Sequence, residues 1–285
     1  MATSTSPVNL TPDLPIHVIA PASGWVPIRL RELWEYRELL YFLVWREVKI
    51  RYKQTALGVA WAVIQPLFTM VVFTLVFHKL AKMPSDGIAY PVFVYCALLP
   101  WQLFAFALGE SSNSVVANQR LISKVYFPRL IMPMSAVCVG LVDFAVSFCV
   151  LLGLMAYYHV MPSSAFWTVP LWALLAVTTA LGIGLWLSAL NVKYRDIRYT
   201  LPFLTQILLF ATPVAYPIST VPETWRWVYA LNPMVGVVEG FRWALLGTSG
   251  WAGMSVLMSV GVVAVLLVSG LFYFRRMERT FADIV

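Results

Sequence analysis

Long apolar runs separated by short polar stretches dominate the chain. A bilayer core about 30 Å thick takes about 20 mostly apolar residues per helix. Runs 58–77, 91–109, 130–158, 166–190 and 251–274 meet that length. A sixth, 201–216, is shorter and passes into a mixed segment, 217–250, whose apolar pieces 225–231 and 233–246 are too short or too polar to cross. These pieces are expected as re-entrant or interfacial helices, because irregular backbone at membrane depth is tolerated only where protein or a water-filled cavity covers it. The pattern therefore predicts an all-α membrane protein of about six transmembrane helices, with short re-entrant helices between spans five and six.

Before the first span the pattern changes. Leu33, Tyr36, Leu40, Val44, Val48 and Tyr52 follow one another at spacings of three or four, while Arg31, Glu35, Glu38, Arg46, Lys49 and Lys53 trace another face. This is the signature of an amphipathic helix. Its acidic residues come early and its basic ones late, as the helix dipole favours. With Trp34, Tyr41 and Trp45 added, it reads as an interfacial helix, serving either as a basic anchor for the first span or as a docking surface. The expected organisation is a flexible tail over 1–28, the amphipathic helix over 29–54 and a transmembrane domain over 55–285. The tail has no basic region followed by an apolar core, so it does not read as a signal peptide.

Composition agrees with the pattern. The 285 residues are 60% hydrophobic and only 12% charged, about half the charged fraction of a soluble domain. That excludes a cytosolic enzyme, a secreted disulfide scaffold and a disordered regulator. The formal charge of +7 would raise the question of nucleic acid in a soluble chain, but in a membrane protein Lys and Arg report orientation. Only Lys79, Lys82, Arg226 and Arg242 fall on one side of the expected spans, and the other sixteen fall on the opposite side. Both termini are therefore expected in the cytoplasm. Cys96, Cys138 and Cys149 lie in apolar runs without a CxxC pair, and His17, His78 and His159 are scattered, so neither a metal site nor a disulfide framework is indicated. No nucleophile constellation is visible.

Two loops fall on the cytoplasmic side. A short helix in the first would put Leu121, Ile122 and Val125 on one side and the basic pair Arg120 and Lys124 on another, with Pro128 as its stop. A loop that only turned the chain could be shorter and wholly polar, so the exposed apolar side asks for a partner pocket. The second loop, 191–198, carries Lys193, Tyr194, Arg195, Asp196 and Arg198, and on its own could serve orientation alone. Asp143 sits near the middle of the third span without another charge nearby in sequence. Such a carboxylate is costly there and is expected to hydrogen-bond inside the bundle. Glu239 and Arg242 lie at i,i+3 and suit either a salt bridge or a pair lining a route. Pro66, Pro100 and Pro213 are expected to interrupt spans.

The run RYKQTALGVAWAVIQP from Arg51 to Pro66, the loops SKVYFPR (Ser123 to Arg129) and NVKYRDIR (Asn191 to Arg198), and the pair Asn232 and Pro233 occur in that order. Together they resemble the permease subunit of bacterial polysaccharide-exporting ABC transporters, the O-antigen, capsule and teichoic-acid exporters. The resemblance covers nearly all of the chain beyond about residue 28.

It implies an inner-membrane permease that pairs with a second copy and with two separate ATP-binding subunits to move a lipid-linked polysaccharide outward, O-antigen first among the polymers. ATP and magnesium would be bound by the partner subunits. Consistently, the chain has no G-x-x-x-x-G-K-[ST] phosphate loop, and no cofactor or metal is expected in it. The resemblance also implies that Arg120, Leu121, Ile122, Lys124, Val125, Tyr126, Arg129, Lys193, Tyr194, Arg195 and Asp196 engage the ATPase. A sugar chain needs a polar or aromatic-lined path, since pyranose C–H faces stack on aromatic rings. Candidates are Trp61, Phe68, Phe73, Phe77, Tyr90, Trp101 and Phe104, although interfacial belts also account for aromatic residues. Trp225, Trp227 and Tyr229, with Glu239 and Arg242, are candidates for an external gate. The competing readings are an ABC permease for a drug or small lipid, and a membrane-embedded polymer-modifying enzyme, which the lack of catalytic clusters disfavours.

Overall fold

The computed structural model describes residues 30–53, 60–248 and 252–284, all helices and connecting loops with no strand among them. The expected tail over 1–28 lies outside the described residues. Helices α1 (Leu30–Glu35) and α2 (Arg37–Lys53) meet at Tyr36, where backbone bonds from Tyr36 to Glu32 and from Leu40 to Tyr36 carry the helical path across the break. α3 (Ala60–Phe73) continues as a π-helical turn, Thr74–Leu80. α4 (Tyr90–Ala117), the short α5 (Gln119–Ile122), α6 (Ile131–Tyr157) and α7 (Val169–Lys193) follow. Next come α8 (Ile197–Ala211), α9 (Glu223–Ala230), α10 (Pro233–Leu246) and α11 (Ala252–Ile284).

Five of these helices are long and apolar enough to cross a membrane: Ala60–Leu80, Tyr90–Ala117, Ile131–Tyr157, Ser164–Lys193 and Val256–Glu278. α8 has 15 residues, about 22 Å at 1.5 Å per residue, and so falls short of a bilayer core by itself. Pro66 and Pro100 lie inside α3 and α4, which run on through them, whereas Pro213 follows the end of α8. The expected interruptions at Pro66 and Pro100 are thus corrected. Each proline removes one ladder bond, which the rest of its helix tolerates.

α4 is the central helix. Of its most apolar stretch 78% is buried, against 17% for α3 and for α11. It packs against α6, α7, α10 and α3. Its polar end reaches this close packing because Ser112 returns its hydroxyl to the Leu108 carbonyl (2.6 Å) and Ser114 to that of Ser111 (2.7 Å), leaving no donor unsatisfied among apolar neighbours. Asn191, at the end of α7, donates to the Ser112 carbonyl and the Asn113 side chain, both at 3.0 Å. The first residue of the second loop thus ties α7 to α4.

The pair Asn232 and Pro233 starts α10. The Asn232 side chain accepts from the Met234 N–H (3.1 Å), and proline occupies the first turn, where its missing donor costs nothing. Gly247 ends the helix with φ +68°, its N–H on the Trp243 carbonyl. Most of α10 is buried, while α9 leaves Trp225, Trp227 and Val228 exposed.

A Cβ added at Gly240 would lie 2.4 Å from the Trp172 ring. Gly240→Ala should therefore destabilise the fold by about 1–3 kcal/mol, read as a lowered thermal midpoint in detergent. An unchanged midpoint would contradict the packing described.

Candidate functional site

α1 and α2 place one face against the bundle: Leu43 is buried, and Leu33, Tyr36 and Leu40 pack on the same cluster as Val115, Ile131 and Phe274. From there the second half of α2 runs along α6. Its end brings Arg51 to within 2.8 Å of one Asp143 carboxylate oxygen, while the Tyr52 hydroxyl donates to the other. Asp143, expected among bundle hydrogen bonds, is thus ion-paired as well. Its partners lie 91 and 92 residues away in sequence, which is why neither showed beside it. Burial, reinforced by the Asp143 carboxylate, pushes the Tyr52 phenol well above its ordinary range, so Tyr52 stays a donor.

The Arg51 guanidinium also lies over the Phe106 ring, 4.3 Å from its centroid. Arg51 and Phe106 border two cavities. One, about 380 Å³, lies among α3, α4 and α6 and is lined by Trp61, Gln65, Thr69, Trp101, Gln102 and Asp143. The other, about 610 Å³, is lined by Arg46, Glu47, Glu110, Asn113, Asn118 and Ser135. Both combine aromatic or aliphatic walls with convergent polar groups, the makeup of a site for a polar ligand. Arg46 donates to Glu47 (2.6 Å) and to Asn118 (3.0 Å), fixing α2 against the end of α4.

The aromatic candidates separate by environment. Trp61 and Phe68 are exposed along α3, and Phe73 and Phe77 form a tilted ring pair at 5.2 Å. Tyr90, Trp101 and Phe104 are buried in the core. Tyr90 donates to the Ala215 carbonyl (2.6 Å) and stacks on His78, and Phe104 packs on Trp101. Only Trp61 and Trp101 of the seven line the 380 Å³ cavity.

At one end of the bundle, α5 is a single helical turn. Ile122 and Phe127 are buried with Leu130 and Ile131, and Leu121 packs against them, whereas Val125 and Tyr126 are exposed. The exposed apolar element is therefore Val125 and Tyr126, where the sequence pattern put it at Leu121, Ile122 and Val125. The reason is that α5 ends at Ile122, whose side chain and that of Phe127 turn into the apolar cluster and leave the residues between them exposed. Arg120 and Lys124 are exposed, Arg129 is partly buried, and Lys193, Tyr194, Arg195 and Asp196 are all exposed at the end of α7.

At the opposite end, the Glu239 and Arg242 pair is an ion pair of 3.1 Å with almost no solvent contact. Arg242 donates also to the carbonyls of Pro213 (2.7 Å) and Val214 (2.8 Å) and lies 3.7 Å from the Phe93 ring centroid. It thereby binds the irregular chain after α8 to α10 and α4. Burial raises the Glu239 carboxyl above its usual range and the Arg242 charge draws it back. Trp225 and Trp227 are exposed, and the Tyr229 hydroxyl lies 3.2 Å from that of Tyr216.

Reasoning from sequence missed Arg51, Gln65 and Gln102. The available signals were an arginine in the helix leading into a span that faces a lone carboxylate, and amide side chains inside apolar runs. Among the described residues, no group of three or more His, Cys, Asp or Glu is placed to hold a metal ion.

Residues 38–246 match the ABC-2 type transporter family. An O-antigen export system permease protein RfbA of Myxococcus xanthus is 33% identical over 257 residues, covering 88% of this chain and 98% of that protein. One of the same name from Klebsiella pneumoniae is 29% identical over 87% of this chain and 95% of its own length. The polysialic acid transport protein KpsM of Escherichia coli is 26% identical over 82% and 91% respectively.

Arg242→Ala should cost about 3–5 kcal/mol because it strands a buried carboxylate and several carbonyls, whereas Arg226→Ala, whose partner Glu223 is exposed, should cost about 1 kcal/mol or less. Folded yield and thermal midpoint in detergent measure both; equal losses would contradict the asymmetry.

Proposed function

Starting from a chain that belongs to the ABC-2 type transporter family, as the permease type of membrane protein, we propose that it passes a lipid-linked polysaccharide, O-antigen in the first place, across the bacterial inner membrane. Two copies work with two ATP-binding subunits, which hold ATP and magnesium. The exposed apolar faces of α3 and α8, including Phe68, Val71, Phe203 and Phe210, are available to lipid and to the second copy. Both termini and the loops at 119–129 and 193–196 lie in the cytoplasm, with α8 and the irregular chain after it, which reaches Tyr90 at the opposite end of α4, making the sixth crossing, in keeping with sixteen of twenty basic residues on that side.

The observation that carries this reading is the anchored loop with an exposed tip. Val125 and Tyr126 are 52% and 67% exposed while Ile122 and Phe127, on either side, are buried. A bare apolar tip on a fixed base can enter a partner's groove and hand its displacement to the bundle. Arg120 and Lys124, exposed on the same loop, add polar contacts beside it, and Lys193 to Asp196 are exposed at the end of α7, groups that suit the polar rim of such an interface. Docking on an ATP-hydrolysing partner supplies the energy that this chain, without a phosphate loop, does not.

For the cargo, the 380 Å³ cavity offers both halves of a sugar-binding surface. Trp61 and Trp101 present aromatic faces or edges to pyranose C–H groups. Gln65 and Gln102 each donate and accept, matching hydroxyls that do both, and Thr69, whose proton goes to the Gln65 backbone carbonyl, adds an acceptor. Such contacts tolerate different sugars and let a polymer slide. Trp225, Trp227 and Tyr229 stand at the external end as the candidate exit.

Tyr126→Asp puts a charge on the exposed tip without touching the core. Export by the complex should fall at least about tenfold through loss of one interface anchor, with reduced recovery of the ATP-binding subunit on purified permease. Unchanged export together with unchanged recovery would sink the coupling role.

A further inference from the structure

The docking tip does not act on the helix that follows it alone. Arg129, three residues beyond Tyr126, gives its backbone N–H to one Glu278 carboxylate oxygen at 3.1 Å, and its guanidinium donates to the Glu278 carbonyl. The other Glu278 oxygen is 3.1 Å from Arg275, and this pair is largely shielded from solvent. The Arg129 guanidinium also lies 5.9 Å from the Phe281 ring centroid, and Phe281 meets Phe274 edge-on at 5.3 Å. Glu278 is 149 residues away from Arg129 in sequence, so the loop is held to α11 by a long-range link that backbone connectivity does not supply.

α11 in turn is locked to α7. The Gly182 carbonyl would lie 2.5 Å from a Cβ at Gly270, so the two backbones meet with no side chain between them. Trp186 stacks on Tyr273 at 4.1 Å and 15° and donates to Ser269 (3.2 Å). Helices in this contact have little freedom to slide, because close packing is bistable rather than continuously deformable. α7 ends at Lys193, where the second exposed loop begins.

We infer that Glu278 is a positioning residue that joins the two cytoplasmic loops into one lever, by fixing the 119–129 loop to the α11 and α7 pair. This rests on the reading of that loop as the docking element. Without the Glu278 carboxylate the tip still binds its partner, since Tyr126 and Val125 are untouched, but the loop keeps only the Arg129 guanidinium on the residue 278 carbonyl and the apolar packing of Ile122 and Phe127, and less of its movement reaches α7.

The test is the permease reconstituted with its ATP-binding subunits and lipid-linked glycan, in which ATP turnover and export are measured on the same vesicles. Glu278→Ala should assemble and hydrolyse ATP within about twofold of the parent, while export per ATP falls about tenfold, a typical size for a lost coupling contact. Glu278→Gln keeps an acceptor for the Arg129 N–H but drops the charge facing Arg275, and should fall between. Export per ATP equal to the parent in Glu278→Ala overturns the inference. So does failure of both variants to assemble, which would make Glu278 a folding residue. The parallel Tyr126→Asp sample separates the two levels: if it behaves as the parent, the docking reading fails, and if it is impaired while Glu278→Ala stays coupled, only the role of Glu278 fails.

Discussion

A charge among apolar helices must be met by an opposite charge, a hydrogen bond or water, and this requirement organises the protein. Desolvating an ion costs several kcal/mol even after relaxation, so each buried charge fixes the element that answers it. Arg51 and Tyr52 answer Asp143 and thereby hold α2 to the third span. Arg242 answers Glu239 and gathers the carbonyls of the broken chain after α8. Glu278 answers Arg275 and the loop at Arg129. The three links sit at the middle and the two ends of the bundle, and each joins segments far apart in sequence or an irregular segment to a regular one.

Between these fixed points the packing is set by small residues. Ser112 and Ser114 in α4 and Gly182 and Gly270 between α7 and α11 let backbones approach closely, as expected where lipid is as apolar as the helices and association depends on contact. Outside this close packing lie the exposed loops at one end and the cavities beside Arg51. The same scarcity of charge, 12% of the residues, is what makes the chain a membrane protein.

Much of this was legible in the sequence because hydrophobic periodicity survives tertiary packing. The five long spans, the inward packing of Leu33, Tyr36 and Leu40 and the pairing of Glu239 with Arg242 all rest on local spacing. What was not legible depends on distance. Asp143 looked alone because its counter-ion sits in another helix, and Arg129 read as one more basic loop residue because Glu278 lies near the other end of the chain. The exposed tip was displaced from Leu121 to Tyr126 for a different reason: helical spacing was carried past Ile122, where the helix stops. Burial of Tyr90 and Phe104 could not be read from residue type, since aromatic side chains serve cores, belts and binding sites alike.

The most direct test of the account is movement of a lipid-linked glycan in vesicles holding only the purified permease and its ATP-binding subunit. The account predicts that glycan becomes accessible on the far side of the membrane only when ATP is hydrolysed and both proteins are present. Transfer without ATP, or none with the complete complex while a small lipid or drug is carried instead, would contradict it.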